Sequence, residues 1–154
     1  MAAAVALIGD DDDLRALLIE VQQLTGMKFS AVAFVSEDRW IASQVSDGLA
    51  FGLTPGDELN VRMTICDQVR TWASEILIDD VAQDPDWSTH PVPRTFGFRS
   101  YLSIPIFVGN AFFGTLCAID PDPREQPLAE LRDKLFLLAA EAGRLLMERM
   151  LPAS

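Results

Sequence analysis

The chain has 154 residues, of which 49% are hydrophobic, and a formal net charge of −11 at pH 7. This length is typical of one domain that buries most of the surface its unfolded chain would expose. With 12 basic residues scattered among 23 acidic ones, the chain lacks the clustered cations that nucleic acid or an anionic membrane surface requires, so we expect neither as a partner.

The two cysteines, Cys66 and Cys117, are too few for a disulfide framework, and residues 1–9 lack the basic start of a secretory signal. No uncharged apolar run is long enough to span a bilayer. One His and two Cys far apart in sequence show no metal-ligand spacing, so we expect no metal site. These features predict a cytoplasmic protein.

The first predicted element is a helix that Asp10 to Asp13 would cap and Gly26 would end. Its apolar residues recur at helical spacing, at Leu14, Leu17, Leu18, Val21 and Leu24. Two strands, at 28–35 and 39–45, are predicted to follow, separated by a polar turn.

The middle of the chain is less regular. Residues 47–58 are rich in Gly and Pro and predict a loop. Thr64 is suited to cap a short helix over about 65–73, and a brief strand is predicted at 75–79. The connection from 82 to 98 has little regular patterning, and connections of this kind often carry function.

Residues 101–108 and 111–119 predict a β-hairpin, because they are rich in aromatic and β-branched residues and a Gly-Asn pair at 109–110 separates them. We expect Pro105 where its missing N–H faces outward or at a bulge, and Gly114 where another backbone or a ligand approaches closely. Both strands are apolar on both faces, which predicts a sheet that is covered on both sides.

The last predicted helix begins near Pro127. Its apolar residues at alternating steps of three and four form a heptad seam, made of Leu128, Leu131, Leu135, Leu138, Ala142 and Leu145. Further apolar residues lie off the seam, so a single packing surface would leave much of them exposed. We therefore expect one side of the helix to cover the sheet and the seam to form a homodimer interface. The alternative is that the first helix covers the extra stripe within a monomer.

Four runs, in order, resemble the GAF domain family: ELNVRMTICDQV at 58–69, IDDVAQDP at 78–85, GFRSYLSIPI at 97–106 and FGTLCAIDP at 113–121. The likeness is greatest to the bacterial subfamily at the input end of sensor histidine kinases and cyclic-di-nucleotide enzymes, and it covers most of 11–150 in a single domain of 1–154. It implies an α+β, PAS-related fold with a central antiparallel sheet of five or six strands. The terminal helices would cover one face, and the short helix and the long loop would cover a pocket on the other.

The resemblance implies a sensor that binds a small molecule and relays the signal through its terminal helices. The candidate pocket residues are Phe34, Cys66, Trp72, Trp87, His90, Arg94, Phe98, Arg99, Tyr101, Ser103 and Cys117. Arg94 and Arg99 would bind an anionic ligand, or alternatively pair with nearby acids. A second hypothesis is a ligand-free module that dimerises or docks on a histidine kinase or a similar effector.

The family resemblance leaves the cofactor unknown but disfavours several ligands. The chain lacks the Asn-Lys…Phe…Asp-Glu signature of family members that bind cyclic nucleotides, so we do not expect cyclic GMP. Bilin-binding relatives attach the tetrapyrrole through a Cys that precedes a His, whereas Thr89 precedes His90 here, so we expect no covalent bilin. Free methionine sulfoxide reductases share the fold and use a set of cysteines, but Cys66 and Cys117 stand in other motifs. With no nucleophile beside a base and an orienting acid, we expect no enzyme.

Overall fold

The protein is described here by a computed structural model that covers residues 11–37, 39–49, 52, 55–59, 69–71, 74–84, 87 and 97–150. Four of the predicted site residues lie outside these ranges: Cys66, Trp72, His90 and Arg94. Most of the predicted short helix also lies outside them, and its described residues, 69–71, are helical. In the described part of the chain, no helix combines the length and the apolar content needed to cross a membrane.

Helix α1, Asp12–Thr25, begins and ends at residues whose chemistry favours those positions. The Asp11 carboxylate accepts hydrogen bonds from the backbone N–H groups of Asp13 and Leu14, at 3.0 and 3.1 Å, and its negative charge lies at the positive end of the helix dipole. Gly26 ends the helix at φ 74°, in the left-handed region that glycine adopts without steric cost. The first predicted helix is confirmed.

Within the described residues, six strands form one antiparallel sheet in the order β3-β2-β1-β6-β5-β4. They are β1 (Phe29–Val35), β2 (Trp40–Asp47), β3 (Glu58–Leu59), β4 (Ile76–Ile78), β5 (Ser100–Val108) and β6 (Ala111–Asp120). The long strands lie in the centre and the shortest at the two edges, which limits the exposed hydrogen-bonding groups at each edge. This sheet confirms the predicted α+β class.

Strands β5 and β6 form the predicted hairpin, with Gly109 at φ 62° in its two-residue turn. A Cβ atom at Gly114 would collide with the carbonyl group of Ala33 on β1, which confirms that this glycine permits close approach of another backbone. Pro105 lies just before the pairing irregularity that follows Ile106 and beyond the β5 residues that pair with β4.

Both long helices cover the same face of the sheet. After a 3₁₀ turn at Leu128–Leu131, helix α2 extends over Arg132–Met150. The main core forms between α1, α2 and this sheet face, and its fully buried side chains include Leu14, Leu18, Val32, Leu102, Ile104, Leu116, Leu135 and Leu146. The packing is close, because a Cβ atom at Gly143 would collide with the carbonyl group of Phe107.

The predicted heptad seam on α2 lies in this core, so its assignment as a homodimer interface is wrong. Four of its residues are buried within the protomer, and the other two are half-buried and pack against the same core: Leu128, Leu135, Ala142 and Leu145, and then Leu131 and Leu138. A spacing of three and four places side chains on one stripe of a helix, whether that stripe meets a second chain or the chain's own sheet. In the alternative, α1 covers the apolar residues of α2 that lie off the seam. This is not so at Leu137, which is 71% exposed.

An ion-pair network joins the end of α2 to the start of α1. The Arg149 guanidinium donates to the carboxylates of Asp11 and Asp13, with N–O distances of 2.7 Å in both cases. Asp11 is thereby both the cap of α1 and a partner of α2. Its backbone N–H also donates to Gln44 Oε1 on β2, at 2.9 Å, so three elements meet at this residue.

We expect Asp11 to make the stability of the fold sensitive to acid. Burial raises the pKa of its carboxyl group, but the hydrogen bonds from Arg149 and from the N–H groups of Leu14 and Asp13 outweigh this effect, so the pKa lies below its ordinary value of 3.8. A group with a lower pKa in the folded state stabilises the fold above its unfolded pKa, and this contribution disappears as the pH falls through the folded pKa.

Urea denaturation at about pH 7 and about pH 3 tests this expectation. In Asp11→Asn, which keeps a capping side chain but removes the charge, the loss of stability on acidification should be smaller than in the wild type. Glu130→Gln, at an exposed position of the 3₁₀ turn Leu128–Leu131, is the control and should retain the wild-type loss. An unchanged loss in Asp11→Asn would contradict the assignment.

Candidate functional site

The two faces of the sheet differ in the size of their side chains. On β1, β2 and β6, the face that packs against the helices carries large residues, namely Val32, Phe34, Ile41 and Leu116. On the same strands, the opposite face carries small residues in the middle, namely Ala31, Ala33, Ala42 and Cys117, and larger ones at the strand ends, namely Phe29, Val35 and Trp40. We call this opposite face, which neither α1 nor α2 covers, the distal face. We call its small side chains the floor. They lie in the middle of the sheet and are buried, because the three alanines have no exposed area and Cys117 is 5% exposed.

Aromatic residues border this floor on both sides. Towards β4, the rings of Phe98 and Tyr101 stack with their centroids 5.5 Å apart, and Trp87 packs in the same buried cluster. Towards β3, Trp40 packs with the alanines of the floor. Ile119 on β6 packs against both clusters, so the floor and the aromatic residues belong to one continuous buried layer.

The structure brings together several of the predicted pocket residues. Trp87, Phe98 and Tyr101 share one buried cluster on the distal face. Ser103 on β5 pairs directly with Cys117 on β6, and directly paired residues in an antiparallel sheet project to the same face. Five of the predicted residues therefore lie on one side of the sheet.

Phe34 does not join them, and its assignment to the pocket is wrong. Its ring packs edge-to-face on Phe113, with centroids 5.5 Å apart and planes at 69°, in the core under the helices. Successive side chains of a strand point to opposite faces, so Phe34 and the adjacent Ala33 lie on different sides of the sheet. The aromatic character of Phe34 indicated burial but not the face.

Arg99 pairs with an acid, which is the alternative that the sequence left open. Its guanidinium Nη2 lies 2.9 Å from both carboxylate oxygens of Asp80, and its Nε lies 3.2 Å from one of them. The side chain is about half exposed, beside the 3₁₀ turn Val81–Gln83 that Asp80 caps. This pairing leaves Arg99 poorly placed to hold an anion on the distal face.

In the part of the chain that the structure describes, the floor carries no charge, whereas Asp47 lies on the distal face at the end of β2, where it pairs with Phe29. Among the described residues, Asp120 is the buried charged one, and its carboxylate accepts from the N–H groups of Lys28 and Asp122 at the end of the sheet. The free thiol of Cys117 is 5% exposed and donates to the carbonyl of Ala31 at 3.6 Å. No group of three His, Cys, Asp or Glu residues in these ranges could hold a metal ion.

The sequence reasoning missed Trp40 and the alanine floor. Trp40 begins β2 and is 3% exposed. The available signal was the alternation of small and large residues over 31–34, Ala-Val-Ala-Phe. This pattern predicts that Val32 and Phe34 face the main core and that Ala31 and Ala33 face the other side of the sheet. Only the pairing of β1 with β2 and β6 shows that these alanines lie next to Ala42 and Cys117.

Comparison with known proteins gives one family. The chain matches the family model of the GAF domain over residues 11–145. Similar solved structures include the GAF domain of a two-component sensor histidine kinase from Bacillus halodurans, with a TM-score of 0.63 and 16% identity over 89% of this chain and 92% of that one. No curated protein sequence matches the chain.

Two further similar structures come from proteins with other roles. The GAF domain of PixJ from Thermosynechococcus elongatus, in its blue-light absorbing form, has a TM-score of 0.67 and 15% identity, and covers 94% of this chain and 85% of that one. A type II free methionine-R-sulfoxide reductase from Thermoplasma acidophilum has a TM-score of 0.66 and 12% identity over 88% and 91%. At these identities the likeness concerns the fold.

Proposed function

The chain belongs to the GAF domain family, and from this premise we propose that it is a sensory domain that binds a small molecule on the distal face of its sheet. The observation that carries the proposal is the floor of small residues between Trp40 and the cluster of Trp87, Phe98 and Tyr101. Ligand sites in proteins are mostly apolar and aromatic with few polar groups, and the distal face has this composition. The sensor histidine kinase and PixJ neighbours come from signalling proteins and support the same class of function.

The fold provides a route from such a ligand to the terminal helices. Ala33 lies on the distal face, while Val32 and Phe34 on the same strand pack in the core with α1 and α2. A ligand that binds one arrangement of β1 and β6 more tightly would shift the helices through these contacts. Two-component or cyclic-di-nucleotide signalling, with a histidine kinase or a similar effector as output, is the context that we propose.

A thermal-shift screen of metabolites against the purified protein tests ligand binding. A ligand at about 100 times its dissociation constant adds about 2.7 kcal/mol to the stability of the folded state, so binding should raise the midpoint of unfolding. Ala33→Leu fills the floor and should weaken binding of the same compound at least about tenfold, because the added atoms occupy its site. Ala129→Leu, which adds the same atoms at an exposed position, is the control and should bind as the wild type does.

Two results would contradict this proposal. One is the lack of any shift across a broad library together with the lack of a retained small molecule in native mass spectrometry. The other is equal binding by Ala33→Leu, once its circular dichroism spectrum shows that it is folded, because a ligand on the distal face cannot share that space.

We propose a regulatory role for the chain and not a catalytic one. The similar reductase from Thermoplasma acidophilum acts on free methionine-R-sulfoxide by its name. In the described part of this chain the distal face carries the thiol of Cys117, which is buried and hydrogen-bonded to a backbone carbonyl. Those contacts support a packing role for Cys117, because reactive thiols are partly exposed and lie in electropositive surroundings.

A homodimer formed through the outer side of the helices is the second candidate. Leu137 on α2 is exposed beside a groove between α1 and α2, whose other lining residues are Glu20, Gln23, Leu24, Lys134 and Leu138. The groove has an acid on α1 and a base on α2, so two copies related by a twofold axis can pair Glu20 of each with Lys134 of the other. This surface takes the place of the predicted seam.

A further inference from the structure

Arg124 is a cation without a carboxylate partner among the described residues, in a chain with an excess of acids. The chain carries 23 acidic residues and 12 basic ones. Six arginines in the described ranges pair with a carboxylate: Arg15, Arg39, Arg99, Arg132, Arg144 and Arg149. No carboxylate in those ranges pairs with Arg124. Its guanidinium therefore has room for a partner from outside the chain.

The Nε–H group of Arg124 is a buried donor without an acceptor. The side chain is half-buried, and its Nε atom is buried and has no hydrogen-bond partner. The backbone N–H of Arg124 donates to the carbonyl oxygen of Asp79 at 2.7 Å, which holds the residue beside the end of β4. Buried polar groups in native proteins are nearly always hydrogen-bonded, and a charged donor is more costly to leave unpaired than a neutral one. We therefore expect an acceptor at this guanidinium.

Arg124 lines an open cleft at one end of the sheet. The cleft has a volume of about 620 Å³, which is within the range of small-molecule sites. It is lined by Gly26, Lys28, Asp120 and residues 122–126. A Cβ atom on Gly26 would lie 2.9 Å from Nη1 of Arg124, so the lack of a side chain there lets the guanidinium lie against the end of α1.

The charges that line the cleft leave Arg124 as its half-buried cation. The carboxylate of Asp120 is 4% exposed and already accepts from the backbone N–H groups of Lys28 and Asp122, at 3.0 and 2.9 Å. The side chains of Asp122 and Glu125 are exposed, where water and salt screen their charges. Lys28 is also exposed and pairs with no carboxylate of the described residues, so it is a second cation for a ligand in the cleft.

We propose that this cleft binds a small molecule through a carboxylate or phosphate group that accepts hydrogen bonds from Arg124. The planar guanidinium matches two oxygens of either group, and such charge-assisted hydrogen bonds are stronger than neutral ones. Lys28 adds a second positive charge at the exposed side of the cleft. A bound oxyanion would contact both the end of α1 and the connection that leads into α2.

The cleft is separate from the distal face, so this site goes beyond the proposed function. Asp120 is adjacent to Ile119, which packs on the distal face, and successive side chains of a strand point to opposite faces. Asp120 therefore projects to the side of the sheet that the helices cover. Gly26, at the end of α1, borders the cleft on that same side.

Nuclear magnetic resonance with ¹⁵N-labelled arginine tests the contact in the wild type. The spectrum of Arg124→Lys, which keeps the charge, identifies the Nε–H signal of Arg124 by its loss. Sodium acetate and sodium phosphate are the probes, and sodium chloride at equal ionic strength is the control for screening. At least one of the two oxyanions should move the Arg124 signal saturably, and chloride should not. The tighter-binding oxyanion identifies the group that the ligand carries.

Affinities of the variants provide an independent measurement. Arg124→Gln should weaken binding of the same oxyanion at least about tenfold, the loss expected for hydrogen bonds to a charged group. Arg124→Lys, which keeps the charge but not the planar fork, should lose less. Arg39→Gln removes the same charge from an exposed pair with Glu58. It is the matched control and should bind as the wild type does, and urea denaturation shows that each variant is folded.

The outcomes decide between a ligand site and a general effect of charge. Saturable binding that Arg124→Gln weakens and Arg39→Gln does not supports the site. An Arg124 signal that responds to neither oxyanion, or that responds equally to chloride, overturns it. Equal losses in Arg124→Gln and Arg39→Gln also overturn it, because they reduce the effect to net charge. The metabolite screen with Ala33→Leu tests the distal face separately from all of these results.

Discussion

Gly114→Ala is expected to abolish folding or to lower the free energy of unfolding by more than about 4 kcal/mol. A Cβ atom at this position would collide with the carbonyl group of Ala33 and would lie 2.9 Å from the backbone nitrogen of Val35. Both contacts are with the backbone of β1, which is held in the middle of the sheet by β2 and β6. No flexible side chain can move away to make room, so the added methyl group has to separate two central strands.

Gly97→Ala is the matched control for this substitution. Gly97 has φ +72°, and no atom lies within 4 Å of the position of its Cβ, so alanine there adds backbone strain of about 1–2 kcal/mol and no collision. Urea denaturation followed by circular dichroism compares the two variants with the wild type. Equal stability of Gly114→Ala and Gly97→Ala would mean that β1 and β6 are not as close as described.

Leu135→Glu is expected to unfold the protein, whereas Leu137→Glu, two residues away on the same helix, is expected to keep the fold. Leu135 is fully buried between α2, α1 and the sheet, and an unpaired carboxylate there would lose its hydration without compensation. Leu137 is 71% exposed, so a charge at that position stays in water and should change stability by less than about 0.5 kcal/mol. Leu135→Ala, a milder change, should cost about 2–5 kcal/mol and remain measurable.

Sedimentation velocity on the same variants tests the proposed homodimer. Leu137→Glu should give a folded monomer, because it places a charge of each copy in the apolar centre of the proposed interface. Folding is followed separately by circular dichroism. A wild-type protein that sediments as a monomer would contradict the homodimer, and comparable stability of Leu135→Ala and Leu137→Ala would contradict the assignment of the buried stripe.

Local signals in the sequence were enough to predict most of the elements. The cap at Asp11, the left-handed glycine at Gly26 and the two-residue turn at Gly109 each reflect the chemistry of a few neighbouring residues. Hydrophobic spacing located α1 and the strands of the hairpin within a few residues of their observed bounds. Combined with the order of the four family motifs, these signals determined the fold class and the family.

The tertiary structure decided which side of each helix and strand packs in the core and which side lies on the distal face or in solvent. The spacing of α2 defined an apolar stripe, but only packing showed that Leu135 meets the sheet and that Leu137 faces solvent. Phe34 was placed on the wrong face, because the face of a strand residue depends on the register with partners about 80 residues away along the chain. Contacts between other elements place Trp40 in one cluster with Ala33 and Cys117, and they pair Arg99 with Asp80. Composition and periodicity describe each segment by itself, whereas a site is formed by contacts between segments, so the sequence determined the family and the structure determined the candidate site.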